Sequence, residues 1–179
     1  MATPTTLPAT FVSGNVLTAA QMNDLRGAFR VLQVVSTTKT DTFSASVAAG
    51  GITDVTGLSA TITPSSTSSK VLVMVAMGKG TYGGLVIKRD STEIAIGTSV
   101  GNRNAITANS LGTNGDHPTN VMMLVLDNPS TTSAVIYQAA IHQTVNSTVT
   151  VYCNRSDADT DSTVASRTAS TITVMEISA

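Results

Sequence analysis

Apolar and polar residues alternate along most of this chain, most plainly in GLSATITPSSTSSKVLVMVAMG, residues 57–78. Leu58, Ala60 and Ile62 alternate with Ser59, Thr61 and Thr63, which predicts a strand with one apolar and one wet face. Pro64 stops the ladder, and a run of Ser and Thr carries the chain around a corner. In the next strand Val71, Val73, Val75 and Met77 point one way, and Leu72, Met74 and Ala76 point the other. A strand apolar on both faces must be covered on both. One small sandwich covers a single face, so a second chain is the expected cover for the other. Period two predicts strands over 31–36, 42–46, 57–63, 70–77, 84–89, 93–97, 120–126, 133–142, 148–153 and 170–177. Gly, Asn, Asp, Ser and Pro cluster between them, with turns at Arg89–Thr92 and Asp127–Ser130. Many short antiparallel strands without intervening helices predict a mainly β domain, a β-sandwich over residues 31–179.

Residues 1–30 read differently. Pro4, Pro8 and several Thr predict an extended arm over the first dozen residues. One short α-helix follows. Thr18-Ala19-Ala20-Gln21 is a capping box, with Leu17 and Met22 as its hydrophobic staple. Met22, Leu25, Phe29 and Leu32 recur at helical spacing and make one narrow apolar stripe. A helix of that length is marginal in water alone, so it must dock on its own sandwich, on copies of itself or on a larger assembly. Phe11, Val16, Leu17, Met22, Leu25 and Phe29 are the candidate anchoring residues.

Composition narrows the function. The chain has 179 residues, 41% of them hydrophobic and only 12% charged, with a net charge of −1. No basic block exists, so nucleic-acid binding through phosphate neutralisation is not expected. No apolar run approaches the ~20 residues that span a bilayer, and residues 1–11 lack the basic and apolar regions of a signal peptide. Cys153 is the single cysteine, which excludes an intrachain disulfide.

Reactive constellations are weak. Asp157, Asp159 and Asp161 resemble the first half of a calcium loop, but Ser162 stands where the glycine belongs and Thr168 where the glutamate belongs. A looser cation site and a plain solvated acidic loop are the two readings of this stretch. His117, His142 and Cys153 have no spacing that supports a nucleophile–base pair or a metal site. Gly78-Lys79-Gly80 and Gly83-Gly84 lack the strand-to-helix setting of a phosphate loop and read as a bent strand region. No catalytic residue, metal or cofactor is expected.

FVSGNVLTAAQMNDL (residues 11–25), VTGLSATITPSSTSSKVLVMV (55–75) and STITVMEI (170–177), with GGLVIKRDSTEIAIG and LDNPSTTSAVIYQ between them, make a pattern that resembles tail-fibre and other appendage proteins of tailed bacteriophages. The resemblance covers most of the chain. It implies a jelly roll of the tumour-necrosis-factor or complement-C1q kind that assembles as a homotrimer, attached to other virion proteins through the N-terminal arm. Such trimers often bury aromatic residues on the threefold axis. Aromatics are only 3% here, so Tyr137 and Tyr152 join Val73, Met74, Met122 and Leu124 as interface candidates.

Two polar loops, 98–119 and 154–169, are the expected contact surfaces. Asn102, Arg103, Asn104, Asn114, Asp116 and Arg155 are the candidates to meet a host surface glycan or protein. Three functions follow: a short, non-enzymatic virion appendage that aids host attachment, a capsid decoration protein, and a carbohydrate-binding or hydrolysing domain. The last predicts aromatic platforms or paired acids; there is no Trp, and Asp and Glu total 11.

Overall fold

Alternation becomes a two-layer β structure in which one face of each strand is buried. The computed structural model describes residues 14, 16, 18, 19, 31–109, 117–163 and 165–178. Its ten strands are β1 (Val31–Lys39), β2 (Phe43–Val47), β3 (Ile52–Ile62), β4 (Lys70–Lys79), β5 (Gly84–Arg89), β6 (Thr92–Ile94), β7 (Thr119–Asp127), β8 (Val135–His142), β9 (Val149–Cys153) and β10 (Ser170–Ile177). The mainly β, antiparallel expectation holds, and each predicted strand has a counterpart. The expected helix lies outside the described residues apart from Thr18 and Ala19.

Two boundaries move for physical reasons. β3 begins at Ile52, five residues before the expected start, because Ile52–Asp54 pair with β8 upstream of an irregularity. Gly57 turns there with φ +82°, and the Gln138 amide donates to the carbonyls of Val55 and Leu58 at 2.8 and 3.1 Å. β6 ends at Ile94 because Ala95 takes a left-handed conformation, φ 52°, which breaks the ladder.

In the first sheet β4 is central. β7 pairs with one edge of it from Val71 to Lys79. On the other edge β10 pairs with residues 70–76 and β9 with Lys79, so β9 and β10 lie end to end. β2 pairs with β9 and β1 with β10, so β1 and β2 also run on one line. The second sheet has the order β3-β8-β5-β6. Between the sheets lies an aliphatic core: Val71, Val73, Val75, Met77, Ile172 and Val174 on one side, and Leu58, Ile62, Leu85, Ile87, Tyr137 and Ile141 on the other.

Polar groups close both ends of this core. At one end Glu176 and Asp127 flank Val71 in a single row of the first sheet. Glu176 is fully buried and accepts from Gln33 Nε2 (2.7 Å), Ser65 N (2.7 Å) and Ser65 Oγ (2.6 Å). Asp127 accepts from Arg89 Nη1 (3.0 Å) and from the Tyr137 hydroxyl (2.6 Å), which ties β7 to the opposite sheet. Burial and that hydrogen bond push the Tyr137 phenol up, so it stays protonated and donates. Val31 and Ile177 pair at this same end. Thr119 beside Lys79, and Asn154 beside Gly78, put the long loops at the other.

Burial raises the Glu176 pKa, but hydrogen bonds from Gln33, Ser65 and Ser69 outweigh it and hold the carboxyl at about 2, below its ordinary 4.5. A depressed carboxylate stabilises the fold above its unfolded pKa and loses that contribution as pH falls toward the folded value. The difference corresponds to about 3 kcal/mol. Urea unfolding of the wild type should therefore show stability falling between about pH 5 and pH 2. Glu176→Gln should be less stable at pH 7 and fall less steeply across that window, with Asp159 and Asp41, also held below their ordinary range, keeping a residual slope; an equal acid slope in both proteins would place the acid sensitivity elsewhere.

Candidate assembly face and loop site

Residues directly opposite in paired strands share a face, so the registers define what the first sheet shows outward. Three rows cross it: Val34, Met175, Leu72 and Leu126; then Ser36, Thr173, Met74 and Leu124; then Thr38, Thr171, Ala76 and Met122. Met122, Leu124 and Leu126 are 60, 55 and 62% exposed. A shallow groove of about 300 Å³ runs between β4, β7 and β10, lined by Met74, Ala76, Met122, Leu124, Thr171 and Thr173 among others. No charged side chain stands in these rows. Four strands by five residues span roughly 300 Å², a patch of aliphatic, Met and Ser/Thr side chains in the size range of the largest patch on a protein surface, which is often functional.

The structure sorts the expected interface residues. Met74, Met122 and Leu124 lie together on this outward face. Val73 and Tyr137 do not: both are fully buried between the sheets, and that expectation is corrected. Val73 follows the inward parity of Val71 and Val75, and Tyr137 that of Val135 and Ala139. Tyr152 is half-buried, with the Arg155 guanidinium 4.6 Å above its ring. Leu72, already placed on the second apolar face of its strand, extends the face, and so do Leu126, Val34 and Met175, which were not singled out from the sequence. Their signal was the second apolar parity of the strands, which periodicity alone cannot assign to inside or outside.

Among the anchoring candidates, Val16 is 89% exposed, whereas Phe11, Leu17, Met22, Leu25 and Phe29 lie outside the described residues. Asn102, Arg103 and Asn104 are exposed in the loop after β6; Asn114 and Asp116 lie outside the described residues. Arg155 belongs to the other loop.

That second loop, 154–169, leaves and re-enters the sheet at one point, because β9 and β10 are collinear. Asn154 makes the junction. It is fully buried, with a left-handed φ of 62° that asparagine tolerates better than most residues. Its Nδ2 donates to the carbonyls of Lys39 (2.8 Å) and Asp41 (3.0 Å), where β1 gives way to β2. Its Oδ1 accepts from Ser170 Oγ (2.5 Å), and its backbone N donates to Gly78 O (2.9 Å). Four strand ends thus meet at one side chain. Thr168 Oγ1 approaches Gly78 and Asp157 Oδ1 approaches Gly80 so closely that a Cβ at either glycine would collide.

The three loop carboxylates diverge. Asp157 Oδ1 accepts from Thr81 N (2.9 Å). Asp159 is gripped by Arg167 Nε and Nη2 (3.2 and 2.9 Å), with Arg155 at 3.6 Å. Hydrogen bonding from Arg167, opposed by burial and helped by the nearby charge of Arg155, holds the Asp159 carboxyl below the usual range. Asp161 turns outward and, with Asp159, Thr160, Ser162, Ala165 and Arg167, lines an open pocket of about 410 Å³. Among the described residues no group of three His, Cys, Asp or Glu side chains converges as a metal site. The Asp159–Arg167 pair had no signal in the sequence, since it joins residues across the loop.

The remaining reactive types are apart or enclosed. His117 is exposed, and His142 turns Nδ1 to the Gln143 carbonyl at 2.8 Å. Cys153 is fully buried beside Ser170, and burial pushes its thiol up, away from the nucleophilic thiolate. Lys79 is fully buried with Nζ on the carbonyls of Gly80 and Thr81 at 3.1 and 3.4 Å; burial lowers its pKa, opposed by Asp157. No protein-family model matches the chain, and no curated protein matches it.

Removing the Asn154 amide takes the side-chain donor from the Lys39 and Asp41 carbonyls and the acceptor from the Ser170 hydroxyl, which keeps its bond from Gly78 N, and it puts a less tolerant residue at positive φ. Unsatisfied buried groups cost about 1–3 kcal/mol each before relaxation. Asn154→Ala should lower the unfolding free energy by about 3 kcal/mol, read from urea midpoints. A loss under roughly 1 kcal/mol, within the usual range of a surface substitution, would show that the junction holds without it.

Proposed function

We propose that this chain is a non-enzymatic structural subunit of a bacteriophage virion. It forms a homotrimeric appendage whose subunits meet through the outward face of the first sheet and which contributes to host attachment. The observation that carries this reading is the apolar stretch on the outer face of β4 and β7, from Leu72 to Ala76 and from Met122 to Leu126. Its roughly 300 Å² would form the centre of the ~800 Å² that one partner contributes to a standard interface, and burial of apolar surface at about 25 cal/mol per Å² favours covering it. The three rows themselves carry no charge to repel a second copy, and Lys70 stands at their margin.

The strand order supports a jelly roll of the tumour-necrosis-factor or C1q kind. With the collinear pairs β1–β2 and β9–β10 each counted once, the ten strands reduce to eight. Numbered along the chain, they then run 1-8-3-6 in one sheet and 2-7-4-5 in the other, the paired four-stranded layers of that architecture. The arrangement also gives the molecule polarity. The segment before Val31 leaves from one end, suited to reach other virion proteins, and the long loops stand at the opposite end. Capsid decoration uses the same subunit contact without the host contact.

Light scattering on the purified protein should give three times the chain mass of 18.3 kDa. Leu124→Asp lies outside the core, so it should keep the fold and weaken assembly by more than tenfold. A monodisperse wild-type monomer would overturn the reading. Electron microscopy of particles labelled on this protein separates the two virion roles: label at the tail supports attachment, and label spread over the head supports decoration.

A further inference from the structure

We infer that the open pocket in the 154–169 loop binds a neutral, polyhydroxylated ligand, a sugar unit of a surface glycan. The inference rests on the attachment role proposed above and names its ligand class. The pocket holds about 410 Å³, within the range of roughly 300–1,000 Å³ for small-molecule sites. Among the described lining residues Ala165 is the sole apolar side chain, so these residues offer little to an apolar ligand.

The lining offers donors and acceptors side by side. Two N–H groups of Arg167 hold Asp159, and its other N–H groups remain to donate, on a side chain 65% exposed. Asp161 supplies an exposed carboxylate, with no side-chain hydrogen bond to another described residue. Thr160 adds a hydroxyl that can donate or accept. Adjacent hydroxyls on a sugar ring, each a donor and an acceptor, match that set.

Charge separates this ligand from the alternatives. A cation would have Asp161 alone, because Asp159 is consumed by the two arginines and Asp157 by the Thr81 amide. An anion would meet the Asp161 and Asp159 carboxylates beside Arg167. A neutral ligand meets neither difficulty.

The site is also preformed. Asn154 locks the loop's ends, Arg155 is stacked on Tyr152 and donates to the Ser156 and Asp157 carbonyls, and Ser156 Oγ accepts from Asp159 N at 3.0 Å. Little ordering remains to be done on binding, which favours even a weak, shallow contact. Several such sites carried on one assembled particle would act together, so modest affinity per site suffices.

The test combines an array of neutral glycans with amide NMR titrations of the full chain. The titrations use methyl glycosides of glucose, galactose, mannose and N-acetylglucosamine, with calcium chloride and sodium phosphate titrated separately. We expect saturable shifts centred on Asp159, Thr160, Asp161, Ser162, Ala165 and Arg167 with at least one glycoside at millimolar concentration. Asp161→Ala should weaken binding at least tenfold while leaving mass and unfolding midpoint unchanged. Three results overturn the inference: silence across array and glycosides, saturation by calcium or phosphate without sugar, or equal sugar binding by Asp161→Ala. Particle labelling keeps the two readings apart. Sugar binding by a protein absent from virions removes the virion role and leaves this site standing. A virion-borne protein that binds no sugar removes this site alone.

Discussion

One buried asparagine amide holds the first sheet together at its weakest place. Two of its strand lines are broken, β1 from β2 and β9 from β10, and both breaks fall beside the last residues of β4. Breaks in a ladder leave backbone groups that water would normally satisfy, and here they are enclosed. Asn154 answers with a side chain that both donates and accepts, and with a left-handed backbone that lets the chain depart. Aspartate could not donate to the Lys39 and Asp41 carbonyls, and serine has too little reach and too few donors. The residue type is therefore set by hydrogen-bond arithmetic rather than by packing.

The opposite end is held by charge. A core of Val, Ile, Leu and Met with few aromatic side chains has little to fix one layer against the other except shape. The Arg89–Asp127–Tyr137 cluster joins the sheets directly, and Glu176 pins the corner after β3 to β1 and β10. Buried charged groups are costly unless every partner is in place, and each of these carboxylates has several. The core is thus an apolar middle closed by two polar ends, and the outward face of the first sheet is an apolar surface that no other described residues cover.

Strands were legible in the sequence because alternation is local. The part of β3 before Gly57 was not, because Asp54 and Gly57 look like loop residues until Gln138 supplies the bulge with its donors. Inside and outside were not legible for β4, where Val73 and Met74 are equally apolar. Only the facing sheet decides that Val73 turns in. Tyr137 was expected outward as an aromatic contact, yet strand parity carries its ring inward and its hydroxyl to Asp127. Asn154 was invisible for a different reason: its partners Lys39 and Asp41 are 115 and 113 residues away in the chain. Polar closures of this kind depend on long-range geometry that no short window contains.

The collinearity of β9 and β10 has an evolutionary consequence. A loop that starts and ends at one point of a continuous strand line can change in length without shifting the register on either side. Doubling such a loop costs only about 0.6 kcal/mol in closure entropy. Variation under selection, including whole insertions, can then accumulate at 154–169 while the sheet beneath stays constant. A gene under pressure to follow a changing surface would find its freedom there, between Asn154 and Ser170, with both ends already held.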